Sequence, residues 1–142
     1  MADQPATFSG NIMKGKKGLI MGLANNRSIA WGIAKACHEQ GADLAFTYQG
    51  DALKKRVEPL VAELGGHVAG HCDVTDTASM DAVFADLEQH WGKLDFVVHA
   101  IAFSDKGELT GRYVDTTEAN FQRTMQISVY SLTAVAQRAE KL

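Results

Sequence analysis

Sixteen residues near the amino terminus restrict the fold of this chain more than any others: Lys17-Gly18-Leu19-Ile20-Met21-Gly22-Leu23-Ala24-Asn25-Asn26-Arg27-Ser28-Ile29-Ala30-Trp31-Gly32. Leu19 to Met21 reads as a short buried strand. Gly22 ends it where the backbone must turn sharply, a polar loop follows, and Ser28 opens an apolar, periodic helix. Strand, glycine turn and helix N-terminus together can receive a phosphate, because glycine lets the backbone come close and the first helical N–H groups have no partners of their own. The spacing is neither G-x-G-x-x-G nor G-x-x-x-x-G-K-[ST]. This stretch alone therefore leaves two readings open, a phosphate cradle or an ordinary strand-to-helix corner with Ser28 as N-cap.

Composition removes several classes of function. A chain of 142 residues can bury one domain's core. Its net charge is −3 and its Lys and Arg residues are scattered, which argues against nucleic acid as the main partner. No apolar run approaches the roughly 20 residues that cross a bilayer, and Met1 to Lys17 has no apolar core of a secretory signal. Cys37 and Cys72 fall in different elements with no metal-type spacing, which fits a reducing, cytoplasmic setting. Asn26-Arg27-Ser28 matches a glycosylation sequon only by accident in such a setting. His38, His67, His71 and His90 form no ligand pattern, so no metal is expected. No G-x-S-x-G elbow occurs either.

Residues 1–15 lack periodicity and read as a flexible lead-in, and residues 16–142 as part of a single domain. Ser28 to Gln40 is helical, with Ile29, Ile33, Ala34 and Cys37 on one face, and Gly41 stops it. Leu44 to Tyr48 is a strand with Leu44, Phe46 and Tyr48 on one side. Asp51 is expected to cap a second helix carrying Leu53, Val57, Leu60, Val61 and Leu64, kinked or broken near Glu58 by Pro59. His67 to Cys72 is a third strand. A third helix follows with Met80, Val83, Phe84 and Leu87 inward, ended by Gly92. Leu94 to Ile101 is the most apolar strand, as if buried on both faces. Phe103 to Thr116 reads as a loop, and Thr117 to Leu142 as a long helix with Phe121, Met125, Val129, Leu132, Ala136 and Ala139 on one stripe. That stripe reads as core or as an interface, core being preferred for any one residue. The order β-α-β-α-β-α-β-loop-α implies right-handed crossovers and a parallel, doubly wound α/β sheet with helices on both faces. Four strands ending on the most apolar one would leave it at an edge, so more strands are expected after Leu142.

In such a sheet the ligand lies beyond the carboxyl ends of the strands. Gly22, Tyr48-Gln49, Asp73-Val74 and Ala100-Ile101-Ala102 stand at those ends. A dinucleotide would lay its pyrophosphate over Gly22 and Ser28, its adenosine towards Gln49 and Asp73, and its nicotinamide towards Ile101. After the second strand the chain is neutral, then acidic, with no cation before Lys54, which favours NAD over NADP. Asp73 suits the adenine amino group or a helix cap, with Asp76 the better cap. His99, in an apolar strand, reads as a buried, hydrogen-bonded histidine. Tyr113 and Tyr130 are the tyrosines beyond the fourth strand. Neither has a lysine four or seven residues on, so no proton donor for a hydride transfer is evident.

As a set, these motifs resemble the bacterial NADH-dependent enoyl-[acyl-carrier-protein] reductases, a divergent branch of the short-chain dehydrogenases/reductases. The match runs through Gly22, five residues, then Ser28-Ile29-Ala30-x-Gly32. It continues in Phe46-Thr47-Tyr48-Gln49, Cys72-Asp73-Val74 and His99-Ala100-Ile101-Ala102-Phe103. It ends in Asp105-Lys106-Gly107-Glu108-Leu109 with Gly111-Arg112-Tyr113, and covers the chain from about Lys14 to Leu142. The resemblance implies a Rossmann-type domain and reduction of a trans-2-enoyl thioester on acyl carrier protein during fatty-acid elongation. It places Gly22, Ser28, Ile29, Gln49, Asp73, Val74 and Ile101 against NADH and Ser104 at the acyl-substrate edge. It also implies a homotetramer and no metal, nucleic-acid or membrane partner. Ala102 stands where some members have glycine, and Ser128 where ordinary short-chain dehydrogenases have asparagine. The family's Tyr-x6-Lys segment would lie beyond Leu142, so no catalytic residue is expected in this chain and the piece alone is expected to be inactive. Two alternatives are another short-chain reductase, such as a 3-oxoacyl-ACP reductase, and a non-catalytic NAD-binding module.

Overall fold

Strands pair on both sides of Lys17–Met21 (β1), and this central position follows from its sequence: Leu19, Ile20 and Met21 are all fully buried. The structure is a computed structural model and describes residues 9–142, so the first eight residues of the lead-in lie outside the described residues. β1 is followed by α1 (Ile29–Glu39), β2 (Asp43–Tyr48), α2 (Gly50–Glu63), β3 (His67–His71), α3 (Thr77–Trp91) and β4 (Phe96–His99). The sheet order is β3-β2-β1-β4 and every pairing is parallel. Leu19 stands beside Ala45 on one flank and Val97 on the other.

Alternation along β1 sends side chains to both faces. Ile20 packs with Leu44, Phe46, Ala30, Trp31, Ala34, Val57 and Val61 under α1 and α2. Leu19 and Met21 pack with Met80, Val83, Phe84 and Leu87 of α3 and with Ala134 and Val135 near the carboxyl terminus. The sheet is thus doubly wound, as its alternating elements require. Burial of each large β1 side chain is worth about 1.5–3 kcal/mol. Gly41 ends α1 with φ +91° and Gly92 ends α3 with φ +65°, the left-handed stops that glycine makes without strain. Asp76 caps α3, its carboxylate accepting from the Ala78 N–H.

The structure corrects several expectations. α2 begins at Gly50, so Asp51 lies in its first turn and the N-cap position belongs to Gln49. The helix runs unbroken through Pro59. Proline removes one backbone bond there, but Val57 and Val61, both buried on the sheet, hold the two halves in line. β4 is shorter than its apolar run, lies at the sheet edge and is half-buried throughout. Gly10 and Met13 donate from their backbone N–H groups to Glu39 and Gln40 at the end of α1, so this part of the lead-in is tied down. Phe103 to Thr116 contains two short 3-10 turns, Lys106–Glu108 and Tyr113–Asp115.

The long helix departs most. It consists of α4 (Glu118–Met125), a π-turn (Gln126–Tyr130) and α5 (Ser131–Ala139). Phe121, Met125, Val129 and Leu132 are between 42% and 53% exposed, whereas Ser131, Ala134 and Val135 are buried. Most of the predicted apolar stripe therefore faces outward, before the π-turn as well as after it, while Ala139 packs against the core. The inward face belongs instead to Asn120, Thr124 and Ser128, continuing into Ser131, Ala134 and Val135, because short polar side chains are what hydrogen-bond the segment beneath.

Gly22 and Gly32 provide a paired test of this description. Gly22 has φ +96° and a Cβ there would collide with the Ala100 carbonyl, whereas Gly32 is an exposed helical residue with open space around it. Gly22→Ala is expected to lower unfolding free energy by about 3 kcal/mol, and Gly32→Ala to raise it by about 0.5–1 kcal/mol. Denaturant unfolding of the two variants measures both, and a harmless Gly22→Ala would refute the close approach.

Candidate functional site

The chain leaves β1 in one direction to build β2 and β3 and returns to its other flank as β4, so strand order reverses between β1 and β4. At the carboxyl ends of the strands, where such a reversal opens a crevice, lies a cavity of about 750 Å³. Its walls are Gly22 to Ala24, Thr47 to Gln49 with Leu53, Cys72 to Thr75, Ala100 to Phe103, and Ala119, Gln122, Arg123, Gln126 and Ile127 from the helical region. Of the sequence-predicted residues, Gly22, Gln49, Asp73, Val74 and Ile101 meet around this one space. Ser28, Ile29 and Ser104 are not among its lining residues.

The first wall is built by the glycine turn. The Ala100 N–H donates to the Met21 carbonyl at 3.1 Å, extending the β1–β4 pairing up to the cavity. The Asn25 side-chain oxygen accepts from the Arg27 N–H at 2.8 Å, and the Asn25 carbonyl accepts the Ser28 hydroxyl at 2.6 Å. Ser28 holds the N-cap position, but its hydroxyl is turned back into the loop and does not cap α1. The first helical bonds run from the Trp31 and Gly32 N–H groups to the Ser28 carbonyl. The N–H groups of Ile29 and Ala30 therefore have no acceptor within the helix, the condition that suits an anion. The Ile29 side chain is 78% exposed, so Ile29 would act here through its backbone.

The second wall joins β2 to β3. The Gln49 amide donates to one Asp73 carboxylate oxygen at 3.2 Å. The other accepts both the N–H and the hydroxyl of Thr75, at 2.8 and 2.7 Å. These Thr75 bonds, with help from Gln49 and His71, hold the Asp73 carboxyl below the usual carboxylate range against a modest opposing effect of burial. The backbone of Asp73 is fixed in turn by the Ser79 hydroxyl, which accepts from its N–H and donates towards its carbonyl. Neighbouring Cys72 has its thiol pushed up to about 11, first by burial and then by Asp73, which makes it an unreactive lining group at neutral pH. Lys54 sits 5.8 Å from the Tyr48 ring and 3.8 Å from the Glu58 carboxylate, away from the cavity wall.

The third wall is the β4 exit, gripped by a polar stripe on the helical region. Thr117, Asn120, Thr124, Ser128 and Ser131 recur at steps of three and four. Glu108 accepts both the N–H and the hydroxyl of Thr117. Asn120 accepts from the Asp105 N–H and donates to the Ser104 hydroxyl, and Thr124 also donates to Ser104. Ser128 accepts from the Phe103 N–H at 3.0 Å and donates to its carbonyl at 3.2 Å. Ser131 meets His99 at 2.7 Å. His99 is thus a half-buried, hydrogen-bonded histidine, as its strand context suggests. Sequence reasoning missed this stripe and the cavity residues beside it, although the short hydrogen-bonding side chains at helical spacing were the available signal.

The cavity's charged lining groups are Asp73 at the β2–β3 end and Arg123, whose guanidinium stacks 4.7 Å from the Phe103 ring. Tyr113 and Tyr130, 81% and 58% exposed, do not line it. Among the described residues, no three His, Cys, Asp or Glu side chains are grouped as metal ligands would be, and no helix is long and apolar enough to cross a membrane.

Comparison with known proteins places this geometry. Residues 22–142 match the family model described as enoyl-(acyl carrier protein) reductase. The chain is 72% identical over 131 residues to enoyl-[acyl-carrier-protein] reductase [NADH] 1 of Rhizobium meliloti (strain 1021), an alignment covering 92% of this chain and 48% of that protein. The crystal structure of the Anaplasma phagocytophilum reductase in complex with NAD superposes with a TM-score of 0.91 at 54% identity, covering 96% of this chain and 52% of that one. The Bacillus cereus reductase, solved with NADP+ and an indole naphthyridinone, gives 0.89 at 42% identity, covering 92% and 52%. The chain spans about half the length of the curated relatives it matches. With that family match over most of its length, the chain belongs to the enoyl-[acyl-carrier-protein] reductase family.

Proposed function

We propose that this chain is the cofactor-holding half of an NADH-dependent enoyl-ACP reductase, with residues 16–142 forming part of one dinucleotide-binding domain. The observation that carries the reading is the meeting of the Gly22 turn, the Gln49–Asp73 pair and the Ala100–Phe103 segment around one cavity at the strand-order reversal. The cavity's volume of about 750 Å³ suits a ligand of dinucleotide size. The free N–H groups of Ile29 and Ala30 would receive the pyrophosphate beside Gly22 and Ser28. Asp73, kept ionised, would accept from the adenine amino group, with Val74 at the same edge, and Gln49 would meet the ribose. Ile101 would pack against the nicotinamide, and Ser104, pinned to Asn120 and Thr124, would support the acyl edge.

NADH, when bound, supplies the hydride for a trans-2-enoyl thioester carried on acyl carrier protein. The chain's own part is to bind and orient. The exposure of Tyr113 and Tyr130 supports the view that the enolate's proton comes from the family's Tyr-x6-Lys segment, outside this chain. The outward apolar stripe of Phe121, Met125, Val129 and Leu132 supports assembly into a homotetramer. A cytoplasmic setting and the absence of a metal requirement belong to the same reading.

Three outcomes test it. In fluorescence titrations NADH should bind at least about tenfold tighter than NADPH, and Asp73→Ala should weaken NADH by about tenfold. Equal affinities, or an unaffected variant, would contradict the assignment. The 142-residue piece should not oxidise NADH with a crotonyl thioester, and measurable turnover would place the proton donor within it. Stability should also report Asp73. Because its folded pKa is depressed, its contribution is present above the unfolded carboxylate value and is lost as pH falls through the folded one. The gap in melting temperature between the unaltered protein and Asp73→Asn should therefore be widest near neutrality and narrow progressively as pH falls through and below the ordinary carboxylate range. A gap constant with pH would exclude the charge as its source.

A further inference from the structure

The polar stripe ends on a pair that cofactor binding leaves unused: His99, the last residue of β4, and Ser131, the first of α5. Ser131 is 1% exposed, and a hydroxyl buried that deeply needs partners. Its position directly after the π-turn supplies them. The Ser131 N–H reaches back five residues to the Gln126 carbonyl, so the Ile127 carbonyl loses the donor that an α-helix would bring to it. The Ser131 hydroxyl replaces that donor and gives its hydrogen to the Ile127 carbonyl at 2.6 Å. It then has only lone pairs left for His99, 2.7 Å away. The imidazole must therefore donate from Nε2, which fixes its tautomer. A continuous chain results, from the end of β4 through an imidazole and a hydroxyl to a carbonyl of the π-turn.

Both ends of this chain adjoin the cavity. Ala100 to Phe103 follow His99 directly and form one wall. Gln126 and Ile127 lie on the helical wall. Ser128 grips Phe103 by two further bonds, so the segment from His99 to Phe103 is held at both of its ends by the same turn.

We infer that His99 and Ser131 are positioning residues, which lock the π-turn against the β4 exit and thereby set the gap in which the nicotinamide and the enoyl group meet. This inference rests on the cofactor reading above. It separates the two ends of the site: the adenosine and phosphate contacts lie on the exits of β1, β2 and β3 and on α1, whereas the side-chain bonds of this pair run to each other and to the Ile127 carbonyl. Loss of the pair should disturb alignment for hydride transfer while leaving most of the cofactor affinity in place.

The test uses the full-length protein carrying this segment, with His99→Leu, Ser131→Ala and His99→Gln, whose side-chain amide can donate from a similar position. His99→Leu and Ser131→Ala should bind NADH within about threefold of the unaltered protein yet lose about tenfold or more in kcat, since small misplacements of reacting groups are costly. Emission of bound NADH, which reports the nicotinamide's surroundings, should shift in both. His99→Gln should recover kcat to within about threefold, and the double variant should be little slower than either single one, as expected of groups acting through one chain. Unchanged kcat in the folded variants would overturn the inference. So would a parallel fall of kcat, NADH affinity and melting temperature that His99→Gln does not rescue. Should Ser131→Ala fail to fold, the half-buried His99 variants decide the matter by the same criteria. If the unaltered protein itself does not bind NADH, the cofactor reading fails and takes this inference with it; normal turnover by variants of an NADH-binding protein defeats the inference alone.

Discussion

At Gly22 two backbones come so close that no side chain fits between them, and the carboxyl end of the sheet depends on that contact. β1 and β4 are neighbours in space but far apart in sequence, and their exits must diverge to open a crevice without separating the strands beneath. The Ala100 N–H continues the pairing onto the Met21 carbonyl, while the left-handed turn at Gly22 swings the chain towards α1. Any larger residue would have to part the strands or abandon the turn. The open N-terminus of α1 and the Ala100–Phe103 wall both take their places from this approach.

The helical wall shows a different economy. Helices of soluble proteins usually present an apolar stripe to what they cover, but α4 and the π-turn face the β4 exit with threonine, asparagine and serine. Each such bond contributes only about 0.5–1.5 kcal/mol, less than the burial of a large aliphatic side chain. In exchange, directional bonds fix an irregular segment that has no ladder of its own. Phe103, Ser104 and Asp105 each have a backbone or side-chain group tied to a defined helical partner. Hydrophobic contact is non-directional and would specify their positions less tightly.

Much of the fold was legible because local signals and burial agreed. The apolar run of β1, the glycine stops of α1 and α3, and the periodic cores of α2 and α3 all point one way, whereas α1 buries Ala30, Trp31 and Ala34 and leaves Ile29, expected on its inner face, exposed. Four strand ends could then be aimed at one crevice, and Gly22, Gln49, Asp73, Val74 and Ile101 do line it. Legibility failed where a neighbour decided. Asp51 has a good capping side chain, yet α2 starts one residue earlier, with a left-handed Gly50 whose N–H is received by His71 from the adjacent strand. Ser28 has the right position, but Asn25 takes its hydroxyl. The apolar stripe through Phe121 and Val129 fits an ideal helix, yet on both sides of the π-turn the inward face is taken by Thr124, Ser128 and Ser131, which bond the β4 segment. No pattern of residue types announces a backbone bond that reaches five residues back.

That turn also bears on how the sequence can change over generations. A π-turn takes one extra residue into a single helical turn, so the helices on either side of it keep facing the same way. Deleting one residue between Gln126 and Tyr130 would close the wide turn into an ordinary α-turn, and Ser131, Ala134 and Val135 would keep their places in the core. What would go is the Ile127 carbonyl that the wide turn leaves for the Ser131 hydroxyl, and with it the reason for a serine there. A gap of one residue here would mark a relative whose β4 exit is held in some other way.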